Sequence, residues 1–478
     1  MLGRRGAAGG WHPHRLPCRH LQRNTTLATS PVGSTPAASG TGSRHVHAGE
    51  GRAVALSFVY FFCVLAAYYV MRPVREQLSA AVGSVQLPWF YGATFVATLV
   101  LTPVFALLVA RYPRPVVVPI VHGFFIACLL AFVPLFTSHG VLGPRALGAL
   151  FFVWVSVFNL FVVSVFWSFM VDIWDEAQAR RLFPIIALGG TAGAIAGPLL
   201  TRTLVSVVGV APLLVVSAGL LACAVVCVVL LGRWARTHGS RRFDPGQEAA
   251  VGGGMFDGLK QVFGNPFMRA MAFLLLLGDG IGTINYALVA DYSGATFTDA
   301  VARTRFAANL DLSTNILQVV VQLTLTRWLL VRHGAAPAIA LWALVSAAML
   351  LLVVLSGDPH APVLGQMPWV ALALIVSRGL AYGMLGPARE SLFAQVPRTM
   401  RYKGKNAVDT AVWRFGDLLI SLSMNLLRSG GVVVAGFAAI AAVSAAAAGV
   451  LGWRLGRRLE GGDRAAITDP DAKPVAHP

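Results

Sequence analysis

Twelve apolar runs, each long enough to cross a bilayer, constrain this chain more than any other feature of its sequence. The approximate bounds of these runs are 53–71, 87–110, 116–136, 148–171, 183–206, 210–232, 268–290, 306–330, 336–356, 367–392, 406–427 and 431–455. The hydrocarbon core of a bilayer takes about 20 helical residues to cross. Backbone polar groups in lipid must be satisfied within the chain, so isolated runs of this kind fold as helices. We predict an all-α integral membrane protein with twelve transmembrane helices.

The runs fall into two groups of six that a polar stretch separates. We predict a disordered basic tail at 1–52, a six-helix bundle at 53–232, a cytoplasmic linker at 233–267, a second six-helix bundle at 268–456 and a cytoplasmic tail at 457–478. The segment LLVARYPRPVVVPI joins runs two and three, and LLVRHGAAPAIALW joins runs eight and nine. The two segments are similar and occupy corresponding places in the two groups of six. This internal similarity resembles the parallel six-helix repeats of major facilitator transporters.

The distribution of charge indicates how the chain is oriented. Only 12% of the residues are charged, against about 25% in a typical soluble protein. The net charge of +18 does not indicate nucleic-acid binding, because the Lys and Arg residues stand in short clusters between apolar runs. Those clusters recur in alternate loops, for example Arg180 with Arg181 and Arg241 with Arg242. The positive-inside rule then places both termini in the cytoplasm, in a plasma or inner membrane.

Several ionisable residues stand within or beside the apolar runs. A charge at the bilayer centre costs a few kcal/mol, so such residues usually face a cavity. We expect this of Asp279, Arg378 and Arg414, which lie deep in their runs, and Asp311 is a further acid at the start of run eight. The residues Arg72, Arg389, Glu390 and Asp409 lie near predicted helix ends, where snorkelling or an ion pair is the expected role. Arg414 and Asp417 are three residues apart and can pair with each other.

No pattern in the sequence indicates catalysis or a cofactor. Gly189, Gly190, Gly193 and Gly197 resemble a dinucleotide fingerprint, but no predicted strand precedes them, so we interpret them as close helix packing. The five cysteines show no metal-binding spacing. Without a nucleotide-hydrolysis loop, transport would depend on gradients. We predict neither enzyme activity, nor a metal, nor a cofactor.

Two segments resemble the nucleotide (ATP/ADP) translocase family, which belongs to the major facilitator superfamily. Residues 164–190 are similar to that family's span with a Phe-Trp pair and the following Ala-basic-Arg-aromatic-aromatic-Pro turn, matched here by Ala179 to Pro184. Residues 400–417 resemble its Lys-Gly-Lys-Ala-Ala-Ile-Asp segment, with Lys403, Lys405 and Asp409 matching.

A weaker match to the same family is YYVMRPVREQL, in which Arg75 stands where the family has Lys. Two of its acidic residues are missing: no Glu follows Ile284 and Asn285 in run seven, and Gln178 stands at the turn before run five. The resemblance implies a nucleotide-translocase-like transporter, and a nucleotide is one candidate solute.

We therefore predict a monomeric secondary transporter of a small anionic solute, working by alternating access. The residues assigned to substrate binding are Arg75, Arg378, Lys405, Arg414 and Asn285. Asp279 and Asp311 are assigned to coupling, and Arg181, Lys403 and Asp409 to gating. The alternative is a non-transporting membrane protein that handles lipid or acts as an assembly scaffold. A wet cavity lined by the Arg and Asp residues would favour transport, and a dry interface would favour the alternative.

The orientation is testable with reporter fusions placed after Arg242 and after Lys405. Both are expected to report the cytoplasm, because both follow clusters of basic residues on the same predicted side. A signal from the opposite side at either position would contradict the predicted number of spans.

Overall fold

The computed structural model describes residues 49–111, 114–137, 143–238, 263–365, 367–396, 408 and 412–460. These residues are almost entirely helical. Seven helices have the bounds α1 Gly51–Val82, α2 Leu87–Arg111, α3 Arg114–Thr137, α4 Pro144–Ile173, α5 Glu176–Val208, α6 Ala211–His238 and α7 Pro266–Thr296. Helix α8 comprises Ala300–Val321, a π turn Gln322–Thr326 and Arg327–His333. Helix α9 is Ala335–Leu355.

Three further helices complete the described fold. Helix α10 comprises Trp369–Leu380, a π turn Ala381–Leu385 and Gly386–Ala394, α11 is Trp413–Ser429, and α12 is Val434–Glu460. A 3₁₀ turn, Ser84–Gln86, joins α1 to α2, and the short antiparallel strands β1 Pro362–Leu364 and β2 Met367–Pro368 precede α10.

Eleven of these helices are long and apolar enough to cross a membrane, which confirms a multi-pass helical architecture. The remaining helix is α11, with 17 described residues, or about 26 Å of helix. Its predicted start at residue 406 lies outside the described residues.

The predicted end of the first span, at residue 71, is wrong. Helix α1 continues to Val82, so Arg72, Arg75 and Glu76 lie inside the helix rather than at its end, with Pro73 beside them. The prediction ended the span where the apolar run ended. The charged turn instead faces other helices, so it does not need to leave the membrane. Helix α6 also extends to His238, into the predicted linker, and α12 to Glu460, into the predicted tail.

Buried apolar side chains form two clusters. One joins residues of α1, α3, α4, α5 and α6, and the other joins α7 to α12 with Leu87 and Phe90 of α2 and Phe152 of α4. Helices α1 to α6 are called the first half below, and α7 to α12 the second half. The first cluster therefore lies within the first half, and the second lies mainly within the second half and reaches α2 and α4.

Helix α5 packs directly on α1 through its glycines. A Cβ at Gly189, Gly190, Gly193 or Gly197 would collide with Phe58, Phe61, Phe62 or Tyr69 of α1. This finding confirms the interpretation of the glycine run as close helix packing. The two helices can approach this closely only because these positions carry no side chain.

The two halves contact each other through α1 against α7 and α8, α5 against α8, and α2 against α11. We name the two faces of the assembly after the ends of α1, as the Gly51 face and the Val82 face. Near the Val82 face, Gly294 of α7 lies directly against the carbonyl oxygen of Ala80. The candidate site lies between the halves, toward the interior from this contact.

Candidate functional site

A cavity of about 410 Å³ lies between the two halves. Helices α1, α2, α4, α7, α9, α10 and α11 contribute to its wall. Its charged lining residues are Arg72, Arg75, Arg378, Arg389, Arg414, Asp279 and Asp417. Its aromatic lining residues are Tyr68, Tyr69, Tyr91, Phe152, Tyr286, Trp342, Tyr382 and Trp413. Small-molecule sites typically measure about 300–1,000 Å³, so the cavity is large enough for a small solute.

Helix α1 carries the first group of charges. Arg72, Arg75 and Glu76 are spaced so that they share one face of the helix. The Arg75 Nη2 atom donates to Glu76 Oε1 at 2.6 Å, and Arg72 Nε lies 3.5 Å from the same oxygen. The Arg75 guanidinium also lies over the Phe152 ring, 4.8 Å from its centroid. This geometry holds Arg75 at the cavity wall.

Arg72 also reaches across the junction of the two halves. Its Nη1 atom lies 3.6 Å from Oδ1 of Asp311 on α8, and both residues are buried, with 6% and 2% of their surface exposed. Snorkelling, one of the two roles expected for Arg72, is wrong, and the other role, an ion pair, is confirmed for this residue. It forms a buried ion pair that joins the halves.

A second, smaller cavity of about 30 Å³ adjoins the first. Glu76 and Asp311 line it, and Tyr286 and Arg378 line both cavities. The Asp311 Oδ2 and Glu76 Oε2 atoms are buried without a hydrogen-bond partner among the described residues. A space of this size holds one or two water molecules.

Arg378 on α10 differs from the other cavity arginines. Among the described residues, no carboxylate oxygen lies within 4.0 Å of its guanidinium nitrogens. Its guanidinium instead lies 5.9 Å from the centroid of the Tyr286 ring. Arg389 lies 3.5 Å from Glu390. Arg378 is thus the cavity cation that is available to an anionic ligand.

The acidic part of the wall lies where α7 meets α11. Thr283 Oγ1 donates to Asp417 Oδ1 at 3.0 Å, and Arg414 Nη1 lies 3.7 Å from Asp417 Oδ2. The predicted pairing of Arg414 with Asp417 is confirmed. Asp279 interacts with Asp417 across this contact, and its Oδ2 atom is buried without a hydrogen-bond partner among the described residues. We call Asp279 and Asp417 the acid pair.

Glycine makes this arrangement possible. A Cβ at Gly416 would lie 3.0 Å from Asp279 Oδ2 and 2.8 Å from Leu276 Cδ2. A larger residue at this position would push α11 away from the carboxylate. Gly278 and Gly280, which flank Asp279 in the sequence, have more room around them than Gly416.

The remaining predicted site residues lie elsewhere. Asn285 is buried between α7 and α10, where its Nδ2 atom donates to Ser377 Oγ at 3.0 Å; Ser377 lines the cavity, whereas Asn285 does not. Arg181 at the start of α5 donates to Glu50 at 3.0 Å, within the first half. Lys403, Lys405 and Asp409 lie outside the described residues.

Sequence reasoning assigned no role to a network of polar contacts at the Val82 face. The Ser84 N–H and hydroxyl groups donate to Asp291 at 2.8 and 2.7 Å, and Arg428 Nη2 donates to Asp291 Oδ2 at 2.8 Å. The Asn425 Nδ2 atom donates to the Val85 carbonyl at 2.9 Å. The network joins the α1–α2 turn to α7 and α11, and therefore joins the two halves. Its polar residues stand at helix ends, where the sequence favours ordinary solvent contact.

Comparison with known proteins adds information on the fold. No family model matches the chain, and no curated protein matches it. Among solved structures, a mutant form of the nucleoside transporter NupG superposes with a TM-score of 0.61 at 16% identity, covering 85% of this chain and 99% of the other. The POT family transporter PepTSo gives 0.59 at 13% identity, covering 86% and 99%.

A bacterial homologue of the iron transporter ferroportin, in its inward-facing state, gives a TM-score of 0.60 at 12% identity, covering 84% of this chain and 98% of the other. These structural neighbours are major facilitator-type transporters. At such low identities the likeness shows the fold alone. The resemblance to nucleotide translocases stays a prediction.

Replacing Arg428 by Gln is expected to loosen the Val82 face, because it removes the cation that holds Asp291 across the junction. The pair is about one-third exposed, so its loss is worth about 1 kcal/mol, or roughly a fivefold shift toward an open Val82 face. A cysteine at Ser156, in a background without native cysteines, should then react several-fold faster with an impermeant maleimide outside intact cells. The exposed Arg202→Gln is the control. Equal labelling rates in the two variants would contradict a closing role for Arg428.

Proposed function

We propose that this chain is a secondary active transporter, nucleotide-translocase-like in architecture, that moves a small anionic solute across a plasma or inner membrane. The observation that carries the proposal is the cavity between the halves, with Arg378 in its wall and no carboxylate paired to that side chain among the described residues. Arg378 is half-buried, and removing a cation even partly from water without a counter-ion is unfavourable. An anionic solute in the cavity would supply the missing charge.

The side-chain chemistry of the cavity suits an anion that carries a carboxylate or a phosphate. A guanidinium presents a planar set of donors that binds such groups through two parallel hydrogen bonds. Arg75 is held at the wall by Glu76 and Phe152, and Arg414 is partly neutralised by Asp417. Arg378 would therefore be the principal contact of the anion, and Arg75 and Arg414 would contribute to the positive electrostatic potential in the cavity.

Alternating access would operate through two bundles of six helices that rock about the cavity. The separate apolar cores of the two halves support this division, because each bundle could then move as a unit. The orientation predicted from the basic clusters places the Val82 face outside and both termini in the cytoplasm. The contacts of Ser84, Asp291 and Arg428 would then belong to a state closed to the outside.

Coupling to a proton gradient would use buried carboxylates. Asp279 and Asp311 each have one buried oxygen without a partner among the described residues, and each lies beside a cavity. An acid in such a place can take up a proton from one side and release it to the other. Asp311 is also tied to Arg72, whereas Asp279 has no ion pair within 4.0 Å among the described residues, so Asp279 is the better candidate.

The alternative function, a lipid-handling protein or an assembly scaffold, calls for no polar central cavity. The observed cavity is lined by arginines, acids and tyrosines, so it favours transport. The same proposal includes a twelfth membrane span and a monomeric state. It also assigns gating to Arg181, Lys403 and Asp409.

Uptake by the purified protein in liposomes tests the function directly. Labelled nucleotides, dicarboxylates and dipeptides are screened with and without a proton gradient. Arg378→Gln and Arg75→Ala are expected to reduce uptake about tenfold or more, since each removes a charged hydrogen-bond donor. Arg332→Gln, an exposed arginine away from the cavity, should leave uptake unchanged. Wild-type protein that transports none of these solutes, or full uptake by Arg378→Gln, would contradict the proposal.

Replacing Asp279 by Asn tests coupling. The amide cannot carry a proton, so accumulation driven by a proton gradient should fall to the level seen without the gradient, while exchange of a purely anionic solute continues. The competing explanation is a structural ion pair with Arg414. In that case Asp279→Asn would reduce the yield of folded protein, and the additional change Arg414→Gln would restore it.

A further inference from the structure

We propose that the solute is amphoteric: its anionic group binds Arg378, and an ammonium group about 5 Å from that anionic group binds the acid pair, Asp279 and Asp417. The inference rests on the proposed transport function, keeps the anionic group of the solute and adds a cationic group to it. It follows from the placement of charge in the cavity wall.

The two ends of the cavity carry opposite unbalanced charges. Where α1, α8 and α10 meet, Arg72 and Arg75 are matched by Glu76 and Asp311, and Arg378 is left over. Where α7 meets α11, Arg414 faces two adjacent carboxyl groups, so either a proton on the acid pair or a bound cation must balance the second one. A solute with one group of each sign would compensate both ends. A purely anionic solute would compensate Arg378 and leave the acid pair without a cation.

The acid pair also has a vacant hydrogen-bonding position. Both oxygens of Asp417 are engaged, by Thr283 and by Arg414. The Asp279 Oδ2 atom is buried without a partner among the described residues, and Asp279 lines the cavity. A buried carboxylate oxygen without a donor is destabilising. An ammonium group supplies three donors, and the rings of Trp413, Trp342 and Tyr286 in the same wall can interact with its charge.

A metal ion is a poorer occupant of this position. Among the described residues no group of three or more His, Cys, Asp or Glu side chains could hold one. Two carboxylates with an arginine beside them offer a divalent cation too few oxygen ligands. An ammonium group needs only hydrogen-bond acceptors, which the acid pair provides.

Helix geometry limits the separation of the two charges in the solute. Arg378 lies 5.9 Å from the centroid of the Tyr286 ring, and Tyr286 is seven residues from Asp279 on the same face of α7. We take the helix rise between Tyr286 and Asp279, about 10 Å, as the separation of Arg378 from Asp279. An ion-pair contact of about 2.8 Å at each end leaves about 5 Å between the charges of the solute. An extended δ-amino acid or a dipeptide spans this distance, whereas an α-amino acid is too short.

Binding to the purified protein tests the inference with three probes of equal length: 5-aminopentanoate, pentanoate and glutarate. They carry, respectively, both charges, one negative charge, and two negative charges. Quenching of tryptophan fluorescence reports binding, because Trp342 and Trp413 line the cavity. We expect 5-aminopentanoate to bind about tenfold more tightly than either of the others, the effect of one additional charged hydrogen bond.

Variants assign the preference to residues. Asp279→Asn should remove the preference for 5-aminopentanoate while leaving pentanoate binding unchanged. Arg378→Gln should weaken all three probes, and the exposed Arg332→Gln should change none. Dialanine, N-acetyl-dialanine and dialanine amide form a second series, in which the acetyl group removes the ammonium and the amide removes the carboxylate. Only dialanine should bind tightly.

The wild-type comparison does not depend on any variant folding. Glutarate or pentanoate binding as tightly as 5-aminopentanoate would overturn the inference, as would a preference that persists in Asp279→Asn, or no binding in either series. None of these results would affect the proposed transport function if the liposome screen still finds an anion that is carried. Absence of uptake for every solute would instead count against the function itself.

Discussion

The need to keep charged side chains away from lipid determines where the polar chemistry of this protein can lie. A charge in hydrocarbon is stable only beside a partner or in a water-filled space. The charged residues that line the two cavities, on α1, α7, α8, α10 and α11, meet this requirement at the junction of the two halves. The same requirement leaves an apolar core inside each half and a polar cavity between them, so that separation of charge and separation of the halves have one physical cause.

The sequence predicted the helices well, because length and apolarity are local properties of the chain. It also predicted that Asp279, Arg378 and Arg414 face a cavity, since depth in an apolar run can be judged from the run itself. It placed Arg72 incorrectly, because the rule that a span ends at its first charge assumes that lipid or water lies beyond. In the structure, the Arg72 side chain instead meets Asp311, which is 239 positions further along the chain.

The sequence could not predict which polar and charged residues of different helices contact each other. The i and i+3 spacing predicts the pairing of Arg414 with Asp417, because both lie on one helix. No such spacing connects Arg72 to Asp311, or Ser84 and Arg428 to Asp291. The aromatic wall was also missed, because tyrosine and tryptophan in an apolar run look like ordinary core residues until the neighbouring helices are in place.

The two ion pairs that join the halves differ in how readily they can break. Arg428 and Asp291 are about one-third exposed, so water can replace their interaction at a cost of about 1 kcal/mol or less. Arg72 and Asp311 are almost fully buried, and separating them without water would cost about 3–5 kcal/mol. If the proposed rocking motion opened the Val82 face, it would therefore break the first pair and keep the second. Helix α1 is fixed to α5 by glycine packing and to α8 by this buried pair, so in such a motion the halves would stay joined at the contact of α1 with α8.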